Sequence, residues 1–161
     1  MRSNNGLWWF VVIAVVGAMA WAGIRVLIDQ QQASAEKIPV QIGRGTYQVQ
    51  ILSTPENRDK GLSGTEKLDK TEGRLFVFPE SDKWSIWMKD MKFPIDIVWL
   101  DSEKRVVHLV KDAQPDSYPE TRFTPKKVAR FVLEFPAGSI ERSNIQLSSK
   151  ATFEVDTTGV Q

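Results

Sequence analysis

Residues 95–100 read Ile95-Asp96-Ile97-Val98-Trp99-Leu100, and this hexapeptide decides the fold class. Side chains alternate between the two faces of a β-strand. One face of this strand carries Ile95, Ile97 and Trp99, the other Asp96, Val98 and Leu100. Both faces are apolar except at Asp96, so the strand is expected to be covered on both sides with its carboxylate partly buried. A buried carboxylate needs hydrogen-bond donors or takes up a proton. Two readings stay open for Asp96: a structural acid satisfied by backbone and by Arg or Trp donors, or a functional acid that anchors a ligand.

Outward from this strand the pattern stays mainly β. Lys37 to Ile42 and Thr46 to Leu52 flank the turn Gly43-Arg44-Gly45, and Leu75 to Phe78 and Trp84 to Met88 follow. Beyond Leu100, the polar turn Asp101-Ser102-Glu103-Lys104 leads into Arg105 to Val110. Val128 to Phe135 and Ala151 to Val155 complete the set. Thr54-Pro55 is a helix-start pair, with Gly61 as the stop of a short helix from Pro55 to about Lys60. Seven or eight short strands with one or two short helices predict a compact, barrel-like β-domain over residues 37–156, with a tail at 157–161.

The amino-terminal residues have a different chemistry. From Gly6 to Ile24 the chain reads GLWWFVVIAVVGAMAWAGI, without a charge. At about 1.5 Å per residue this helix spans the hydrocarbon thickness of a bilayer. Trp8, Trp9 and Trp21 lie near its ends, where indole rings favour the headgroup level. The expectation is a short tail at 1–5, a single-pass transmembrane anchor or uncleaved signal at 6–24, and a polar linker at 25–36. The domain that follows is then expected outside the cytoplasm, with the lipid bilayer as a partner of residues 6–24. Ala33-Ser34-Ala35 is a pattern that a signal peptidase accepts, which leaves cleavage open.

Charge and composition exclude several classes. Among the charged residues only Arg2, Arg25 and Asp29 lie in the first 35, which leaves 19 basic against 19 acidic residues from 36 onward. A balanced domain has no long-range field to gather nucleic acid. The absence of Cys excludes disulfides, thiolate metal sites and a cysteine nucleophile, and His108 is the one histidine. No phosphate loop or dinucleotide fingerprint occurs, so neither a cofactor nor a metal is expected.

Glu134, in the run Arg130-Phe131-Val132-Leu133-Glu134-Phe135, sits among apolar residues as Asp96 does. Two carboxylates on neighbouring apolar strands are the raw material of an acid/base pair, as in glycoside hydrolysis. Pairing with Arg or Lys across strands is the alternative. Trp84 to Pro94, WSIWMKDMKFP, holds aromatics on both faces and fits either a core strand or the wall of an apolar pocket.

Taken together, Arg58 with Gly61-Leu62, Gly73-Arg74-Leu75-Phe76-Val77-Phe78, Trp87-Met88-Lys89-Asp90-Met91, Pro94-Ile95-Asp96-Ile97, Pro115 and Val132-Leu133-Glu134 with Ala137-Gly138 resemble the Domain of Unknown Function 192 family. The resemblance covers roughly residues 40–155. Two positions depart from it: Thr65 stands where an Arg is common, and Ser148-Ser149 where a Gly-Asp is common. The resemblance implies a largely β, barrel-like domain, often exported or tethered, with no established activity. The matching positions Arg58, Trp87, Met88, Lys89, Asp96 and Glu134 are the candidates for a site.

From these residues the expected function is a membrane-tethered binding or accessory module. Its small-molecule or envelope ligand would be held by Trp87, Met88 and Lys89, and oriented by Asp96 and Arg58. The alternatives are a hydrolase of envelope polymers using Asp96 and Glu134, and a purely structural scaffold. A further expectation is that Arg58 or the Trp87 indole satisfies Asp96.

Overall fold

In the computed structural model, which describes residues 37–160, six strands form one sheet. They are β1 (Lys37–Ile42), β2 (Gly45–Leu52), β3 (Glu72–Asp82), β4 (Ile95–Leu100), β5 (Val106–Ala113) and β6 (Ala129–Pro136). Their order across the sheet is β1-β2-β3-β6-β4-β5, with β2 and β3 parallel and every other pair antiparallel. β4 is buried along its whole length, as its two apolar faces predict.

Helix α1 (Pro55–Lys60) lies in the crossover between β2 and β3. The Thr54 hydroxyl accepts the Asn57 N–H at its start, Pro55 occupies the first turn, and Gly61 at φ 48° ends it. The second helix, α2 (Ser139–Arg142), has four residues, too few to leave a periodic signal in the sequence.

The sheet is open, which corrects the barrel-like expectation. Ala151 to Val155 does not form the closing strand. Around it, Thr152 pairs singly with Gln41 on β1, and Lys150 with Arg105 just before β5. These bridges reach both sheet edges at one point each, without a continuous ladder. Trp84 to Met88 is likewise not a strand, since its pairing is the one bridge between Ile86 and Phe123. Of the carboxy-terminal residues, Val155 and Val160 pack against the core.

Alternation along the strands divides the interior into two layers. One face carries Val40, Tyr47, Val49, Leu75, Val98, Leu133 and Phe135. The other carries Leu62, Phe76, Phe78, Met88, Ile97, Trp99 and Val132. The tail, anchor and linker expected at residues 1–36 lie outside the described residues. Among the described residues no helix is long and apolar enough to cross a membrane.

Candidate functional site

The second layer opens into a cleft of about 310 Å³, large enough for a small organic molecule. Alternation on β3 puts Phe76 and Phe78 on the same face, and both line the cleft. Helix α1 contributes Arg58, and the chain after it contributes Leu62 and Ser63. This lip is held in place because the Ser63 hydroxyl donates to the Lys89 carbonyl (2.7 Å) and the Gly64 N–H to that of Asp90 (2.9 Å). The opposite wall is Trp84, Ile86, Trp87 and Met91, with Arg122 beside them.

Aromatic and cationic groups are layered around the opening. Phe78 stacks on Trp84 at 4.3 Å between ring centroids. The Arg58 guanidinium lies 5.2 Å from the Phe78 ring, and that of Arg122 lies 4.4 Å from the Trp87 ring, within cation–π range. Arg58 Nη1 also donates to the carbonyls of Ser53 (2.7 Å) and Val77 (3.0 Å), which fixes the side chain across the wall.

Glu134, on β6, lines the same cleft with 4% of its surface exposed. Its Oε2 is buried without a hydrogen-bond partner. Arg74, opposite it on β3, makes its own hydrogen bond to the Gly73 carbonyl (3.1 Å). The three ion pairs among the described residues, Lys37–Glu72, Arg105–Glu103 and Lys111–Glu141, leave Glu134 out. Burial pushes its carboxyl up to about 8, and the Arg74 charge only partly offsets that rise. At neutral pH Glu134 is therefore mainly a protonated acid, able to donate a hydrogen bond into the cleft.

Asp96 is elsewhere. It pairs with Phe135 and so faces the first layer, whereas Glu134 pairs with Ile97 and faces the second. The sheet separates the two acids, and the paired-carboxylate arrangement expected of a hydrolase is not formed. The expected contact of Asp96 with Arg58 or Trp87 is not formed either. Asp96 Oδ1 accepts the Asp112 N–H (2.9 Å) and Oδ2 the Ile140 N–H (2.7 Å). Asp112 sits where the β4–β5 register shifts, at φ 53°, and Ile140 lies in the first turn of α2. Asp96 thus ties a β-bulge and a helix start to the central strand.

Of the other candidates, Trp87 and Arg58 line the cleft, while Met88 is core, with 1% of its surface exposed. The Lys89 side chain is exposed away from the lining, and only its carbonyl supports the lip. His108 lies against Trp99, with ring centroids 5.2 Å apart; burial and then the Lys126 charge push its imidazole down. Trp84 lines the cleft as the pocket-wall reading of its segment expects, whereas sequence reasoning missed Leu62 and Arg122 as cleft residues. Arg122 reaches Trp87 through the single bridge at Phe123, a pairing that no local pattern announces.

The comparisons agree with this architecture. A protein of Sinorhizobium meliloti 1021, named "putative transcription regulator", superposes with a TM-score of 0.69 at 22% identity, over 74% of this chain and 95% of its own. That likeness shows the fold alone. A protein of unknown function from Novosphingobium aromaticivorans DSM 12444 superposes with a TM-score of 0.67 at 26% identity, over 72% of this chain and 84% of its own. The "UPF0127 protein" of Thermococcus sibiricus is 31% identical over 113 residues, which are 69% of each chain. The family model DUF192, described as "Uncharacterized ACR, COG1430", matches residues 38–153. With that span and that relative, the chain belongs to the DUF192 (UPF0127) family.

Proposed function

We propose that the domain is a small-molecule binding module, that its site is the cleft between α1 and the Trp84–Met91 segment, and that residues 6–24 tether it to a membrane on the extracytoplasmic side. The observation that carries the binding reading is Glu134: a buried carboxyl with an unpartnered oxygen, placed in an aromatic cleft. An unpartnered buried polar atom costs about 1–3 kcal/mol, and a ligand that supplies the missing partner recovers it. Aromatic walls with a few polar groups are the usual lining of small-molecule sites. The uncharged run from Gly6 to Ile24 supports the tether, and the charge balance of the domain speaks against a nucleic-acid partner.

The test is a thermal-shift screen of small aromatic and sugar-like compounds on the full chain, repeated with Trp87→Ala. A ligand that binds only the folded state raises the midpoint with its concentration. Compounds that raise it in the parent and not in the variant support the cleft. If every compound that raises it does so equally in the variant, the site is elsewhere. Membrane fractionation of the full chain beside one lacking residues 1–25 tests the tether; equal partitioning of the two would rule it out.

A further inference from the structure

The charges around the cleft narrow its ligand class, an inference that rests on the binding reading above. Three cationic residues line it, Arg58, Lys60 and Arg122, against the acids Asp59 and Glu134. With Glu134 protonated the cations outnumber the anions by two. Arg122 is exposed and joins none of the ion pairs among the described residues; its guanidinium rests on the Trp87 ring. A guanidinium laid on an aromatic face still presents N–H donors at its edge, a geometry suited to carboxylate and phosphate oxygens. Arg58 adds charge on the other wall, although its Nη1 is committed to the Ser53 and Val77 carbonyls.

The cleft is therefore polarised along its length. Anion-binding donors stand beside Trp87, apolar rings form the walls, and a carboxyl with a free oxygen lies buried on β6. An anionic group brought against an ionised Glu134 would be repelled, and one at Arg122 would be attracted. A cationic group at Glu134 would need that carboxyl ionised inside an already cationic cleft. We infer that the cleft takes a small organic anion, its carboxylate or phosphate at Arg122, its ring or apolar body against Trp87 and Phe78, and an uncharged hydroxyl or carbonyl at Glu134.

Protonation of Glu134 is then coupled to binding. The charged groups that bear on it are Arg74 across the strand pair, Arg130 four residues before it on the same face, and Arg58, Asp59, Lys60 and Arg122 around the cleft. None of them hydrogen-bonds to its Oε2.

Three probes of one scaffold separate the possibilities by titration calorimetry on the full chain at pH 6.5. They are 3-(4-hydroxyphenyl)propionate, its primary amide, and 3-(4-aminomethylphenyl)propionate. The propionate is expected to bind about tenfold more tightly than the amide, with that preference lost in Arg122→Gln. Its affinity should fall between pH 6.5 and 9 in the parent and stay level in Glu134→Gln. If the amide binds equally well, the charge assignment is wrong while the cleft stands as a binding site. Tighter binding of the aminomethyl compound would overturn the assignment of a neutral inner pole. If none of the three binds but the screen finds Trp87-dependent ligands of another class, this inference alone fails. No Trp87-dependent ligand of any class would remove both.

Discussion

Asp96 and Glu134 lie on the paired strands β4 and β6, one residue out of register, and project from opposite faces of the sheet. Each is a carboxylate in an apolar setting, yet the two differ in what surrounds them. Asp96 has a backbone N–H on each oxygen, and Glu134 has an oxygen with none. The satisfied acid belongs to the architecture; the unsatisfied one belongs to the cleft.

Asp96→Asn tests the architectural role. The amide that replaces one carboxylate oxygen is itself a donor, so it would meet the N–H of either Asp112 or Ile140. A buried donor left unpaired costs about 1–3 kcal/mol. Denaturant unfolding should show a loss of that size, with ligand binding by the folded protein unchanged. Loss of binding at unchanged stability would return Asp96 to the list of site residues.

The pH dependence of stability isolates Glu134. Its folded-state carboxyl is raised to about 8 from an ordinary value of 4.5. The folded protein therefore holds a proton that the unfolded chain releases at lower pH. The stability tied to that proton is fully present below pH 4.5 and is lost progressively up to about pH 8, by at most about 1.4 kcal/mol per pH unit. Glu134→Gln should flatten this slope, measured as the unfolding free energy at several pH values. A variant with the parent's slope would show that other groups carry it.

Arg74 modulates the same window. Its charge is the influence that lowers the Glu134 carboxyl against burial, and its own guanidinium is pushed down by burial, partly compensated by Glu134 and Glu72. Arg74→Gln should move the upper end of the stability loss to higher pH. The curves of parent and variant would separate mainly above neutrality. A shift to lower pH would contradict the electrostatic assignment.

Much of the fold was legible in particular residues. The double-faced apolar pattern of Ile95 to Leu100 marks a strand covered on both sides, and Thr54, Pro55 and Gly61 mark both ends of α1. Local patterns failed where structure depends on distant pairing. Trp84, Ile86 and Met88 alternate as a strand would, but their backbone makes one bridge, with Trp84 and Ile86 serving as a wall and Met88 packed in the core. Ala151 to Val155 also alternates, yet nothing local states whether a closing partner stands beside it. The site followed the same division. Glu134 stood out by type and setting, Trp87 by its aromatic run and Arg58 only through the family resemblance, and the cleft holds all three. Asp96 stood out equally, because a carboxylate satisfied by backbone amides and one facing a cavity look alike in a sequence. Strand parity alone could have placed Asp96 and Glu134 on different faces, once the register between β4 and β6 is known.

Trp87 and Met88 are adjacent and predict opposite outcomes. Met88 is buried in the second layer, and truncating a buried methionine costs about 2–5 kcal/mol. Met88→Ala should lower the unfolding midpoint and leave the cleft groups in place. Trp87 is half-buried and pairs with Arg122, a contact worth about 0.5–1 kcal/mol at an exposed site. Trp87→Ala should cost less stability and remove ligand binding. The reverse ranking in a thermal-unfolding series would exchange their roles.

Gly73 supplies the last test, because it separates a packing role from a site role within the strand that carries Arg74. It faces the first layer, where a Cβ would come within 2.8 Å of the Glu134 carbonyl and 2.8 Å of the Phe135 ring. Neither neighbour is a flexible chain end; one is the backbone of a central strand and the other a buried aromatic. Gly73→Ala therefore forces β3 and β6 apart, and overpacking of this kind costs about 1–3 kcal/mol. Displacing β6 also shifts Glu134, whose carboxyl lies on the far side of the same strand. The expected result is a less stable protein whose stability falls less steeply with pH than the parent's, as solvent reaches Glu134 and its carboxyl moves toward the ordinary value. Unfolding curves at pH 5 and pH 8 read both effects in one experiment, and an unchanged difference between them would show that the strand absorbs the extra methyl without moving Glu134.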